Sequence, residues 1–416
     1  MQKQGGKMQV KFEKITQEEL ANFLQECNTR YFYSQSDKYI NVCDAMDRSY
    51  DILALRNGQE ILATGIVFKY RFKKIFQKSE LVFGPVVRDT NTDYFIEFMK
   101  QLVLFYRRNL RVISLEVVPL ILDRYFDDVE VIGENTEAKL IKRELAEIGF
   151  KHINRDFTEA PYNTQVKYIY VKDIKDKDFK EIEKTFVAEL RRRMKKAKEL
   201  DVKVRFLKPD ELDIMEEIFA ETSDRVHYQV NLKTTKYIAE NYDEAYYPVA
   251  YIDVLESLQS LSESLEATEA EIEKINKNNE EFGENKKRIN RLNNANNLKK
   301  NIIEKIADVK ALGEKYGNII YMSSGSFYVT PSDMVYLQGG MRREFEDYYP
   351  NHALLEHMMK LAIEKKCQYF NFFGISAASL VDENASDYGV LQFKRNFVGE
   401  VQEFIGTYEY NYLPFL

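Results

Sequence analysis

A chain of 416 residues with 44% hydrophobic and 31% charged residues has material for two or three packed domains and is neither collagen-like nor disordered. Its formal net charge of -7, from 60 basic and 67 acidic residues, argues against generic coating of duplex DNA. Cys27, Cys43 and Cys367 are too few and odd in number for a disulfide framework. No apolar leader opens the chain, and no run approaches the about 18 apolar residues of a membrane span, so a cytoplasmic location is expected.

In chain order, MQVKFEKI reads as a strand and ITQEELANFLQEC as a helix, with Thr16 as N-cap and Leu20, Phe23 and Leu24 on one face. YDILALR and ILATGIVFKYRF flank Asn57-Gly58, a hairpin signal. SELVFGPVV is a strand run broken at Gly84-Pro85, DYFIEFMKQLVLFYRRN an amphipathic helix, and RVISLEVVP a buried strand. VKYIYVKDI, VKVRFL and the helices FKEIEKTFVAELRRRMKKAKEL and PDELDIMEEIFAETSDR open a second lobe. Toward the C-terminus IIYMSSGSFYVT and DMVYLQGG read as paired strands, NHALLEHMMKLAIEKK as a helix and CQYFNFFGI as a buried strand. Glu116 lies 32 residues after Gly84, and Phe372 lies 32 residues after Gly340. The shared order of hairpin, glycine break, helix and buried strand argues for two copies of one α/β unit, although that order is common in α/β proteins.

The segment 254–312 interrupts the second unit. Val254, Leu258, Leu261, Leu265, Thr268, Ile272, Ile275, Asn279 and Phe282 alternate spacings of 4 and 3, an a/d seam. Gly283 stops that helix. A looser stripe runs through Ile289, Leu292, Ala295, Leu298, Ile302, Ile306, Val309 and Leu312, with Gly313 and Gly317 ending it. The short turn predicts an antiparallel helical hairpin with arms of roughly 45 Å. It is either an arm for a large partner or a spacer or dimer contact.

Chemistry narrows by exclusion. The histidines His152, His227, His352 and His357 form no metal-binding motif, and neither C-x-x-C, G-x-S-x-G nor a P-loop occurs. Cys367 opens a buried strand and reads as core. Arg191, Arg192, Arg193, Lys195, Lys196 and Lys198 crowd one helix, either as a solvated face or as a site for a polyanion such as pyrophosphate or an RNA backbone. In DYGVLQFKRNFVGE, Lys394 stands between Phe393 and Phe397. It is either a snorkelling lysine or a partly desolvated cation able to stabilise an oxyanion.

Tandem α/β units, the inserted hairpin, RRRMKKAKELDVKV, and FFGI followed by YGVLQFKRNFVGE together resemble the Fem/Mur (FemABX) family. These are tRNA-dependent aminoacyltransferases that build the interpeptide bridge of peptidoglycan. The resemblance covers nearly the whole chain. It implies an α/β (α+β) fold of two tandem GNAT-like (N-acetyltransferase-like) domains, 1–160 and 161–253 with 313–416, and an antiparallel coiled-coil hairpin at 254–312. It implies transfer of Ala, Ser or Gly from aminoacyl-tRNA to the stem-peptide lysine amine of lipid II or UDP-MurNAc-pentapeptide, with no cofactor and no metal. In those terms Lys394 is catalytic, and Arg191, Arg192 and Lys195 hold precursor phosphates. Gln35, Phe83, Tyr388 and Phe393 line the substrate groove, and Lys286, Lys287, Arg288 and Arg291 at the hairpin tip contact tRNA. A peripheral contact with the inner membrane leaflet and a second copy of the chain are further partners it allows.

Three positions depart from the family pattern. The Y-G-P-x-x-D run is Phe83-Gly84-Pro85-Val86-Val87-Arg88, with Asp89 nearby, and Cys43 stands where a lysine is expected after Gln35-Ser36. These departures leave open a non-catalytic GNAT-fold module that binds RNA or a protein. A CoA-dependent acyltransferase ranks last, because the R/Q-x-x-G-x-G/A phosphate loop is missing.

Overall fold

The computed structural model describes residues 10–154, 166–226, 232–283 and 285–413. His227 lies outside them. Two mixed sheets form two lobes. The first sheet runs in the order Val10–Lys14, Tyr50–Asn57, Glu60–Phe72, Phe76–Val82, Val112–Val118, Thr407–Asn411, Lys151–Ile153. The second runs Lys203–Phe206, Pro248–Asp253, Ile319–Val329, Asp333–Met341, Tyr369–Ile375, Tyr168–Asp173, Glu400–Phe404, Leu122–Asp127, Glu130–Glu134.

The repeat has a topological counterpart. In each sheet an antiparallel hairpin is followed by a helix and then by a strand parallel to the hairpin's second arm. Phe76–Val82 pairs in parallel with Val112–Val118 across helix Thr92–Arg107. Asp333–Met341 pairs with Tyr369–Ile375 across helix Pro350–Glu364. The crossover helices form because their apolar residues recur at helical spacing: Phe95, Phe98, Met99, Leu102, Val103 and Tyr106 are buried on the first sheet. Thr16 and Glu19 make a reciprocal capping box on the first helix, Gln17–Glu26.

Sheet membership crosses the line drawn at residue 160. Leu122–Asp127 pairs with Glu400–Phe404 in the second sheet, and Thr407–Asn411 pairs with Val112–Val118 in the first. Each lobe therefore lends strands to the other. A buried ion pair adds to this: Arg30 donates to both Asp333 carboxylate oxygens and to Gln402, and Asn371 also donates to Asp333. One core cluster is continuous across the lobes, from Phe32 and Phe83 to Ile169, Val335 and Phe404. An apolar, strand-exchanged contact of this kind fixes the lobes against each other.

Two expected helices differ in detail. The segment 179–200 is two helices, Phe179–Thr185 and Ala188–Glu199. Phe186 and Val187 are extended between them because Phe186 packs on Phe397 and the Val187 amide bonds to the Asn396 carbonyl. The arm consists of Val254–Phe282 and Lys286–Tyr316, so Gly313 does not end the second helix. A β-carbon there would meet Val254 at 2.7 Å, so glycine serves the close approach of the two arms. Gly317, at φ 88°, is the cap. Lys299 pairs with Glu269 and Arg291 with Glu271, so the arms run antiparallel. Leu298, expected in the seam, is 49% exposed, because the step of four from Ala295 reaches Lys299. Phe282, expected to close the first stripe, is also exposed at the tip.

Candidate functional site

Where the lobes meet, a cavity of about 230 Å³ opens. Its wall is aromatic: Phe32, Tyr33, Tyr39, Phe68 and Phe83 from the first lobe, and Phe373 from the second. Phe32 is the pivot, stacked on Phe373 at 5.9 Å and tilted against Phe83 at 4.3 Å. The polar groups are Arg48, Tyr70, Glu80 and Ser34. Arg48 lies 4.0 Å over the Phe68 ring and donates to the Tyr70 hydroxyl, while its buried Nε has no partner. Burial, and next Glu80, push the Tyr70 phenol well up, so it stays a neutral donor. An apolar wall with one cation, one carboxylate and a phenol suits a polar organic ligand.

Lys394 sits behind that wall. It lies in helix Tyr388–Arg395, is 6% exposed, and donates to the carbonyls of Phe373 (3.2 Å) and Gly374. The parallel ladder between Asp333–Met341 and Tyr369–Ile375 ends at Val335 and Asn371, and the antiparallel ladder to Tyr168–Asp173 is irregular between Ile169 and Val171, so the sheet is locally broken where Lys394 bonds. Phe373 itself has φ 61°, a conformation an aromatic residue seldom adopts. It turns its ring to the cavity and its carbonyl to Lys394. Burial pushes the Lys394 ammonium down to about 7, against the attraction of Asp387. The two carbonyl acceptors also favour the charged form. Asp387 is held by the Ser376 hydroxyl. An ammonium has three donors, and Lys394 spends two on carbonyls.

The other expected site residues fall in separate places. Gln35 is 1% exposed and does not face the cavity; its amide donates to the carbonyls of Ile66 and Val82 and accepts from the Ile66 amide. Phe83 does line the cavity. Phe393 packs edge-on against His352 and Phe397, and Tyr388 is half-exposed with its hydroxyl on Glu383. Arg191 caps the preceding helix through the carbonyls of Lys184 and Phe186. Arg192 is exposed and forks onto Glu189, and Lys195 is exposed beside Glu199. None of the three lines the cavity. The basic helix reaches Lys394 indirectly: Arg193 faces Tyr349, whose ring meets His352, which meets Phe393. His352 is buried with both ring nitrogens unpartnered, and burial holds it down to about 4. At the arm tip Arg288 caps carbonyls of Asn278 and Phe282 and Arg291 pairs with Glu271, whereas Lys286 and Lys287 are exposed. Arg88 turns away to the Ile61 carbonyl and Glu26. Cys43 is core, and its carbonyl takes the Arg48 amide. Arg48, Glu80 and Phe373 went unnoticed in the sequence. Only Phe373, inside FFGI, carried a signal there.

With this geometry in hand, the chain matches the FemAB family model over residues 15–416. The chain belongs to the FemAB family. Curated relatives include Aminoacyltransferase FemA of Staphylococcus epidermidis, 27% identical over 96% of this chain and 95% of that protein. The Staphylococcus aureus protein of the same name is 26% identical over 96% and 94%. The crystal structure of FemX superposes with a TM-score of 0.81, covering 96% of this chain and 97% of that one at 20% identity, which establishes the shared fold. As a FemAB protein this chain is an acyltransferase.

Proposed function

We infer that the protein transfers an amino acid from aminoacyl-tRNA to the stem-peptide amine of a peptidoglycan precursor, building the interpeptide bridge. The observation that carries this reading is the buried Lys394 ammonium, separated from the interlobe cavity by Phe373 alone in the chain of contacts. The precursor's amine attacks the aminoacyl ester carbonyl, forming a C–N bond. The carbonyl oxygen gains negative charge, and Lys394 answers it with its spare N–H. The C–O bond to the terminal ribose then breaks, and the proton lost by the amine ends on the ribose oxygen. Otherwise the reaction depends on holding an amine against an activated ester. The aromatic wall with Arg48 and Glu80 supports a polar acceptor in the cavity, and exposed Lys286 and Lys287 support an RNA contact at the arm.

The deciding experiment incubates the purified protein with glycyl-, alanyl- or seryl-tRNA and either lipid II or UDP-MurNAc-pentapeptide. Label on at least one acceptor is expected. No label with any combination overturns the reading.

A further inference from the structure

Two neighbouring loops at one end of the first sheet form a second strongly basic stretch of this acidic chain, in addition to the one at 191–198. The segments 71–78 and 107–111 contain Arg71, Lys73, Lys74, Lys78, Arg107, Arg108 and Arg111 and no acidic residue. They lie side by side, because the Gln77 amide bonds to the Arg111 carbonyl at 2.8 Å and Gln77 pairs with Val112. Among the described residues none of these seven cations has a carboxylate within ion-pair distance; Lys73 and Lys78 lie over the Phe72 ring, and Arg107 donates to the Tyr410 hydroxyl. At the tips stand two large apolar side chains, Ile75 at 66% exposure and Leu110 at 85%. The Ile75 turn is itself sterically disfavoured. Lys73 and Lys74 both take positive φ, 41° and 46°, in the three-residue turn between Phe72 and Phe76, a conformation that glycine or asparagine adopts at lower cost than lysine. The cost is borne at a place that contributes nothing to a core.

We propose that this face docks on a bilayer surface bearing anionic headgroups, with Ile75 and Leu110 entering the headgroup boundary and the cations around them on the phosphates. The pairing of exposed aliphatic tips with unpaired cations is what membrane-surface elements need. A phosphate backbone alone would leave the two aliphatic tips without a role, which favours the bilayer over a nucleic acid. The position also fits the cavity. Strands Glu60–Phe72 and Phe76–Val82 carry the basic tip at their end and line the cavity with Phe68, Tyr70, Glu80 and Val82. Tyr70 pairs with Lys78, so the cavity rim and the basic face are one cross-strand step apart. A lipid-linked acceptor held at the bilayer would thus present its headgroup at the rim; this part rests on the proposed transfer reaction.

The experiment is co-sedimentation of the full chain with vesicles of phosphatidylcholine alone or with phosphatidylglycerol in equal parts. Binding to the anionic vesicles only is expected. Lys73→Glu/Lys74→Glu should weaken it by at least roughly thirty-fold, from about five-fold for each cation lost, with repulsion by the two new carboxylates adding to that. Ile75→Ser/Leu110→Ser should weaken it roughly ten-fold with every charge retained. Both variants should keep the parent's transfer rate to a soluble UDP-linked acceptor. Absence of binding by the parent, or unchanged binding by the charge-reversed variant, overturns the proposal. So does loss of tRNA retention by the charge-reversed variant when the serine variant still binds vesicles like the parent; the face would then be a nucleic-acid surface. Vesicle binding is read without any transfer, so this proposal and the proposed reaction fail separately.

Discussion

Each lobe has a place where strands part and leave carbonyls without ladder partners, and each fills it with a long polar side chain. In the first lobe Gln35 bonds to Ile66 and Val82 through a neutral amide matched to both donors and acceptors. In the second, Lys394 bonds to Phe373 and Gly374 through a cation with a donor to spare, buried against its desolvation cost. The amide is satisfied and inert, whereas the ammonium is costly to bury and keeps unspent capacity. Two plugs with similar burial thus differ in what they leave unspent; the resemblance implied a groove position for Gln35, whereas in the structure Gln35 does not line the cavity.

The largest effect is expected from Lys394→Met, which should lower transfer by about 100- to 1,000-fold, the usual consequence of losing one oxyanion donor. Circular dichroism should show the fold intact. Comparable activity would equate the two plugs. Gln35→Leu is the converse. It leaves the Ile66 amide and carbonyl buried without the Gln35 partner and the Val82 carbonyl with only the Ser34 hydroxyl, and should cost about 3 kcal/mol in urea unfolding. Transfer per folded molecule should be little changed.

The third prediction uses pH. Below about 7 Lys394 is protonated in both folded and unfolded chains, and the folded state bears the full burial cost. Between about 7 and 10.5 the unfolded chain binds the proton and the folded one does not, so stability rises with pH. The stability of Lys394→Met relative to the parent should therefore fall as pH rises from about 6 to 9, by roughly 3 kcal/mol. The lost carbonyl bonds add an offset independent of pH. Unfolding curves at both ends of that range read the difference.

The smallest effect is at the basic helix. Arg192→Ala breaks an exposed, solvent-screened fork to Glu189 and should leave the unfolding midpoint almost unchanged. If Arg192 holds precursor phosphate, KM for the precursor rises while kcat stays level. An unchanged KM leaves the helix as a solvated face.

Much of the frame was legible in order of appearance. The hairpin signalled by Asn57-Gly58, the Thr16 cap and the helical arm are local signals, set by backbone sterics and helical period; the structure shows each, with the turn one residue on at Gly58 and Gln59 and the arm's seam open at Phe282 and Leu298. Lys394 beside Phe393 and Phe397 was legible as a residue but not as an environment, because its partners are backbone carbonyls that look alike in any sequence. The cavity was less legible still. Arg48 and Glu80 sit in no motif, and they meet only because neighbouring strands and Phe373 of the other lobe close around them. The exchange of Leu122–Asp127 and Thr407–Asn411 between sheets left no local trace. Spacing and composition act over a few turns of chain, so they specify helices, hairpins and the resemblance. Which carbonyls stay unpaired, which cation is desolvated and which strand crosses to the other sheet depend on residues hundreds of positions apart, and only packing brings those together.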